Sequence, residues 1–201
     1  MSVAASTAAS ADPRLEAYLG LLARWNAAYN LTAVRNPAQM RIQHLADCLA
    51  VVEPLRRQLG RRVARILDVG SGGGLPGVVL AVAESDWDVT CVDTVGKKAA
   101  FVRQVAAELA LPNLHAEHAR VEALKAIPFD VVTARAFGAL PDLVRLTRSL
   151  LAAGGVWMAM KGKRPDDEIA ALPPDVEVFH VERLTVPGLD ADRCLVWMRP
   201  R

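Results

Sequence analysis

Residues 66–77 read Ile-Leu-Asp68-Val-Gly70-Ser71-Gly72-Gly73-Gly74-Leu75-Pro76-Gly77, with five glycines in the eight positions from Gly70. An apolar run with an acid near its end leads into them. A second apolar run, Val78-Val79-Leu80-Ala81-Val82-Ala83, follows at once. That order reads as strand, tight loop, helix. Glycine in such a loop lets the backbone turn sharply and approach a ligand with no Cβ in the way.

The downstream chain repeats the theme. Apolar runs rich in Val and Ile near 64–69, 88–92, 113–117, 129–134 and 155–160 alternate with helical stretches near 77–84, 96–110 and 140–151. This is the βαβ rhythm of an open, mostly parallel sheet. Val176-Glu-Val-Phe179 and Arg193-Cys-Leu-Val-Trp-Met198 then read as two strands with no good helix between them. A terminal hairpin on the sheet edge is expected, with at least one antiparallel strand. Upstream, Asp12-Pro13 and Asn36-Pro37 each set an N-cap before a proline at the first helical position. Leu15, Tyr18, Leu19, Leu22 and Trp25 follow the first at helical spacing. Leu45, Cys48, Leu49 and Val52 follow the second, and Gly60 ends the segment. The expected organisation is a flexible Ala/Ser-rich tail (1–11), a helical region (12–62) and an α/β domain (63–201).

A hydrophobic share of 52% and a mean hydropathy of +0.20 fit a globular chain whose 201 residues suffice for one α/β domain with an appendage. No apolar run approaches the roughly 20 residues of a membrane span, and the tail lacks the pattern of a signal peptide; a cytoplasmic protein is expected. Cys48, Cys91 and Cys194 are scattered, which suggests neither a disulfide framework nor a metal site. Charge is uneven. Residues 1–65 hold nine Lys/Arg against four Asp/Glu, a balance of +5, and the remainder stands at −3. This is consistent either with a positive face for nucleic acid or with Arg56, Arg57, Arg61, Arg62 and Arg65 as ordinary solvated charges.

Two ligands compete for the glycine loop. Gly72 to Gly77 matches the G-x-G-x-x-G of dinucleotide binders, but those glycines begin directly after the strand. Here that position is Gly70. An acid in the strand followed by Gly70-x-Gly72-x-Gly74 is the better frame, and it resembles the first motif of S-adenosylmethionine-dependent methyltransferases. A carboxylate such as Asp68 near the ammonium and sulfonium of that cofactor makes electrostatic sense. Asp93 ends the next strand, 23 residues beyond Gly70. It suits the ribose hydroxyls of either cofactor, or alternatively caps the helix from Gly96.

Several ordered motifs together resemble one family, the bacterial small-subunit ribosomal RNA guanine-N7 methyltransferases (the glucose-inhibited-division protein B family). They are Tyr29-Asn-Leu-Thr-Ala-Val-Arg35, His44-Leu-Ala-Asp47-Cys48, Asp68 through Gly77, Val92-Asp93, Lys97-Lys98, Phe101-Val-Arg103, Arg120-Val121-Glu122, Phe129-Asp130, Arg135-Ala-Phe137, Lys161-Gly162 and Pro187-Gly-Leu-Asp190. The resemblance implies a Rossmann-like class I methyltransferase fold with a seven-stranded, mostly parallel sheet. It implies methyl transfer from S-adenosyl-L-methionine to N7 of one guanine in small-subunit rRNA, within a ribosomal particle. It carries cofactor contacts onto Gly70, Leu75, Val121, Glu122 and Arg135, with Asp93 as the ribose-binding acid; Gly72 belongs to the same loop. Cys48 stands where the family often has Ser, and Gly73 where it often has Ala or Pro.

Read without the family, Val121-Glu122 is an ordinary helix start with Glu in the first turn. Arg135, at the end of a strand, faces the ligand crevice of such sheets or makes a surface ion pair with Asp130 or Asp142. Lys161 meets substrate phosphate or cofactor, or snorkels. His44 and Asp47, three apart, share a helix face and touch the site or the rRNA, or simply pack. Guanine N7 carries a lone pair and no proton, so no general base is expected and Arg135 acts by positioning. The rivals are a small-molecule methyltransferase, a nicotinamide-dependent oxidoreductase and a non-catalytic binding module. The oxidoreductase would need a Tyr/Lys pair, and the tyrosines are Tyr18 and Tyr29 in the helical region. A monomer is expected.

Overall fold

The computed structural model describes residues 12–60 and 63–201. The expected tail, and the charges of Arg61 and Arg62, lie outside the described residues. Helix α1 (Pro13–Tyr29) starts as the sequence predicts, with Asp12 Oδ1 accepting the Arg14 N–H at 2.8 Å. Asn36 likewise caps α2 (Pro37–Met40), accepting from Ala38 N at 2.9 Å. The expected second helix is not uniform. It passes through a π-helical turn, Arg41–Ala46, into α3 (Asp47–Leu49), breaks, and resumes as α4 (Val52–Leu59). Gly60, with φ +65°, ends it.

Seven strands form one sheet: β1 (Ala64–Val69), β2 (Trp87–Asp93), β3 (Leu114–His118), β4 (Phe129–Arg135), β5 (Leu151–Lys161), β6 (Val176–Leu184) and β7 (Arg193–Pro200). Their order is β3-β2-β1-β4-β5-β7-β6. The first five are parallel, and β7 runs antiparallel beside both β5 and β6. The connecting helices are α5 (Gly77–Ala83), α6 (Gly96–Glu108), α7 (Leu140–Thr147) and α8 (Asp166–Ala170). One expectation shifts: the helix after β4 ends at Thr147, and β5 begins at Leu151, earlier than 155. Buried Thr147 accounts for part of this. Its hydroxyl donates to Leu143 O at 2.6 Å and accepts from Trp157 Nε1 at 2.8 Å, tying the end of α7 to β5.

The alternating faces of the sheet feed two apolar clusters. Ile66, Val89, Val131 and Met158 pack with α1, α4, α5 and α6. Leu67, Val132, Trp157 and Val196 pack with α7 and with Val121 of a short 3₁₀ turn. Among the described residues, no helix is long and apolar enough to cross a membrane. The chain reverses its winding between β1 and β4, and open α/β sheets bind ligands at the carboxyl ends of the strands at such a switch. Gly70 follows β1 and Arg135 ends β4, so the topology brings them to the same crevice.

Candidate active site at the strand switch

The loop after β1 is held from three sides. Below it, Asp68 Oδ2 accepts the Gly77 N–H at 2.8 Å and so fixes the start of α5. Gly77 lies so close to β2 that an added Cβ would collide with Cys91 Sγ. Above, the Tyr18 hydroxyl of α1 donates to Gly73 O at 2.7 Å. In front, Asp93 Oδ2 accepts from Gly72 N at 3.0 Å and its Oδ1 accepts from Val95 N at 2.9 Å. Asp93 thus organises the turn into α6 without capping that helix, whose N-cap is Val95, and it also braces the glycine loop. Gly70, Gly72 and Gly74 all have positive φ, which restricts these positions to glycine in practice. A Cβ on Gly70 would meet Phe137 Cδ2 at 2.8 Å, whereas a Cβ on Gly72 would enter open space.

Asp68 departs from the expectation that it would face a sulfonium. It is fully buried beneath the loop and lines neither cavity described below. Burial pushes its carboxyl up from 3.8 to about 7, opposed mainly by the Gly77 N–H. A raised acid stabilises the fold below its unfolded pKa, and that contribution is lost as pH rises through the folded one. Between pH 4 and pH 7 the protein should therefore lose up to about 4 kcal/mol of unfolding free energy from this group. Asp68→Asn should flatten that slope in denaturant titrations run across pH; an unchanged slope would exclude Asp68 as its source.

Two cavities meet at Gly70. The first, about 560 Å³, is lined by Gly70, Gly72, Gly73, Leu75, Asp47, Arg135, Lys161 and Arg193 among others. The second, about 350 Å³, is lined by Gly70, Asp93, Val121, Glu122, Ala136 and Phe137 among others. Both volumes fall in the range of small-molecule sites. Val121 and Glu122 open a short 3₁₀ turn, as the plainer reading held, and they still face the second lobe.

In the first lobe, Asp47 is buried between two arginines. Its Oδ1 accepts from Arg193 Nε at 2.8 Å and its Oδ2 lies 3.4 Å from Arg135 Nη1. Arg135 Nη1 also donates to Gln43 O at 3.1 Å. The partner of Arg135 is thus Asp47, not Asp130 or Asp142: Asp130 accepts the Arg65 N–H and Asp142 pairs with Arg145.

The whole-chain comparisons agree with this architecture. Residues 11–196 match the family model described as rRNA small subunit methyltransferase G. The chain belongs to that family.

The Ribosomal RNA small subunit methyltransferase G of Leptothrix cholodnii is 66% identical over 187 residues, covering 93% of this chain and 86% of that protein. The protein of the same name from Acidovorax ebreus is 61% identical over 191 residues, covering 91% and 84%. Among solved structures, TrmN from Thermus thermophilus matches with a TM-score of 0.61 at 22% identity, over 76% of this chain and 48% of that one. The glycopeptide N-methyltransferase MtfA complexed with S-adenosyl-L-methionine matches with a TM-score of 0.63 at 13% identity, over 79% and 95%. These likenesses show the class I methyltransferase fold. As a small-subunit rRNA methyltransferase, this chain uses S-adenosyl-L-methionine as its cofactor.

In this methyltransferase, Lys161 lines the first lobe while its ammonium holds Glu168 at 2.8 Å and the Gly138 carbonyl at 3.0 Å. His44 lies behind the wall. Its Nε2 contacts the Thr32 hydroxyl at 2.8 Å and its Nδ1 is buried with no hydrogen-bond partner among the described residues. Burial first, then the Arg135 charge, hold its pKa below its ordinary 6.5. Of the N-terminal arginines, Arg14, Arg24, Arg41, Arg56, Arg57 and Arg65 all pair with carboxylates, several from the acidic body. Among the described residues of that segment, Arg35 is the arginine without a carboxylate partner, its guanidinium donating to Asn30 Oδ1.

Sequence reasoning passed over Arg193 and Tyr18. The first opens an antiparallel strand, so it lies at the same sheet edge where the parallel strands end. That topological signal was available from the expected hairpin. Tyr18 sits in a helical apolar stripe and looks like any core residue until its hydroxyl is seen on Gly73 O.

Proposed function

We propose that this chain transfers the methyl group of S-adenosyl-L-methionine to N7 of a guanine in small-subunit rRNA, with Gly70 as the junction between cofactor halves. The supporting observation is the two-lobed crevice, whose glycine at position 72 leaves open space that any Cβ would fill. Asp93, Val121 and Glu122 would hold the nucleoside end, with free lone pairs of the Asp93 carboxylate accepting from the sugar hydroxyls. Gly72, Leu75 and Arg135 would hold the amino-acid end.

The bound cofactor supplies an electrophilic methyl carbon. The protein's part is positioning. Guanine N7 needs no proton removed, and the groups at the first lobe fit this: Asp47, which lines it, is committed to two arginines, and His44, behind its wall, to Thr32. Holding N7 in line with the methyl carbon can contribute about 7–11 kcal/mol. Arg135 and Lys161, anchored by Asp47 and Glu168, form a charged wall of the first lobe. His44 contributes to this reading through the loop it braces, by way of Thr32. The same reading carries a ribosomal particle as the substrate, a cytoplasmic site of action and a monomeric enzyme.

Incubation with tritiated cofactor and unmodified small-subunit rRNA, followed by digestion to nucleosides, should place the label in 7-methylguanosine. Label in any other nucleoside, or none, would overturn the assignment.

A further inference from the structure

The mouth of the first lobe has two rims of different electrostatic character. On the β5 and β7 side, the lining cations Lys161 and Arg193 are tied to Glu168 and Asp47; beyond them Arg164 and Arg183 are tied to Asp166 and Asp192, and Lys163 has no carboxylate partner among the described residues. On the opposite side, Leu31 and Thr32 from the loop after α1 and Lys98 from α6 line the cavity. The residues adjoining them present an aromatic ring among cations that have no carboxylate partner among the described residues. Tyr29 is 45% exposed. Lys97 Nζ stands 4.9 Å from its ring centroid. Among the described residues Arg35 reaches only Asn30 Oδ1, at 3.0 Å.

The ring is also well supported. Trp25 packs on Tyr29 at 5.2 Å and on Phe101 at 5.4 Å, which links the ring to the core. Asn26 pins the following loop at both ends, donating to Val34 O at 3.2 Å and accepting from Thr32 N at 2.9 Å. A half-exposed aromatic on a rigid base, flanked by unpaired cations at the lip of a substrate cavity, has the composition of a single-stranded nucleic-acid platform.

We propose that Tyr29, with Lys97 and Arg35, is the platform on which a nucleotide flanking the target guanine stacks. The inference rests on the rRNA reading above. A guanine placed in the first lobe is splayed out of its strand, so its neighbours lose a stacking partner. An aromatic face at the lip replaces that partner without regard to base identity. Lys97 is a point charge on a flexible stem; when its ammonium turns to a phosphate, the face of Tyr29 it covers is open to a base.

The test compares Tyr29→Ala, Tyr29→Leu, Tyr29→Phe and Lys97→Ala. Filter binding would give each variant's affinity for unmodified small-subunit rRNA, and calorimetry its affinity for S-adenosylhomocysteine. Tyr29→Ala and Tyr29→Leu should weaken rRNA binding about tenfold, and Tyr29→Phe should restore most of that loss. Lys97→Ala should make the dependence of log affinity on log salt shallower by about one. Cofactor affinity should stay at the parent value throughout. Parent-like rRNA binding by the Leu variant, or a Phe variant as weak as Ala, would overturn the platform. If the parent binds rRNA but methylates none of it, the functional reading fails instead, and the binding comparison still decides the platform.

Discussion

Gly72→Val should abolish useful cofactor binding, weakening affinity for S-adenosylmethionine at least 100-fold, or about 3 kcal/mol. Two independent effects act at this residue. Its φ of +59° is one that a β-branched side chain rarely adopts. Its added Cβ would also point into open space at the crevice and carry two methyl groups into the volume the ligand needs. The N–H that Gly72 gives to Asp93 at 3.0 Å would shift with the backbone, so the damage reaches the nucleoside lobe as well. Gly20 supplies the contrast. It lies on the exposed side of α1 with nothing near its Cβ position, and Gly20→Ala should stabilise the fold by about 0.5–1 kcal/mol without touching affinity. Calorimetry with the cofactor and thermal denaturation separate the two outcomes. A Gly72→Val protein that binds normally would mean the ligand does not approach this loop.

Arg135→Ala should lower methyl transfer by an order of magnitude or more while the fold survives. Its guanidinium is largely enclosed, lines the first lobe and is fixed by Asp47 and the Gln43 carbonyl. Asp47 would still hold Arg193 at 2.8 Å after the substitution, so no buried carboxylate is stranded and the usual large penalty for that is avoided. Arg135→Lys keeps the charge but not the planar fork, and should recover only part of the rate. Steady-state kinetics beside a melting curve decides the case: wild-type turnover in the Ala variant would remove Arg135 from the site.

How much of this was legible beforehand depends on the range of the signal. The glycine loop, both Pro-bearing helix starts and the terminal hairpin are local patterns, and each appears where the sequence places it. Asp93 and Arg135 were also legible, because strand ends in a parallel sheet share one edge. Interactions between distant segments were not. Asp47 and Arg193 are 146 residues apart, and no periodicity connects them. Asp68 shows the reverse error. Its position in the motif suggested contact with a positive ligand, but the side chain faces the cluster below the loop and is used to start a helix. The π-helical turn before Asp47 was equally hidden, since such turns have no sequence signature comparable to a cap. The N-terminal charge balance left two readings open, and only the fold shows that Glu84, Glu108 and Glu182 pair with three of its arginines.

On the proposed function, the turn at Gly70 divides a nucleoside pocket from a methyl-transfer pocket. A crystal structure with S-adenosylhomocysteine tests it most directly. The sugar hydroxyls should lie on Asp93, the base beside Val121 and Glu122, and the amino-acid arm should reach past Gly72 toward Arg135. A ligand bound in the opposite sense, or elsewhere on the molecule, would contradict it.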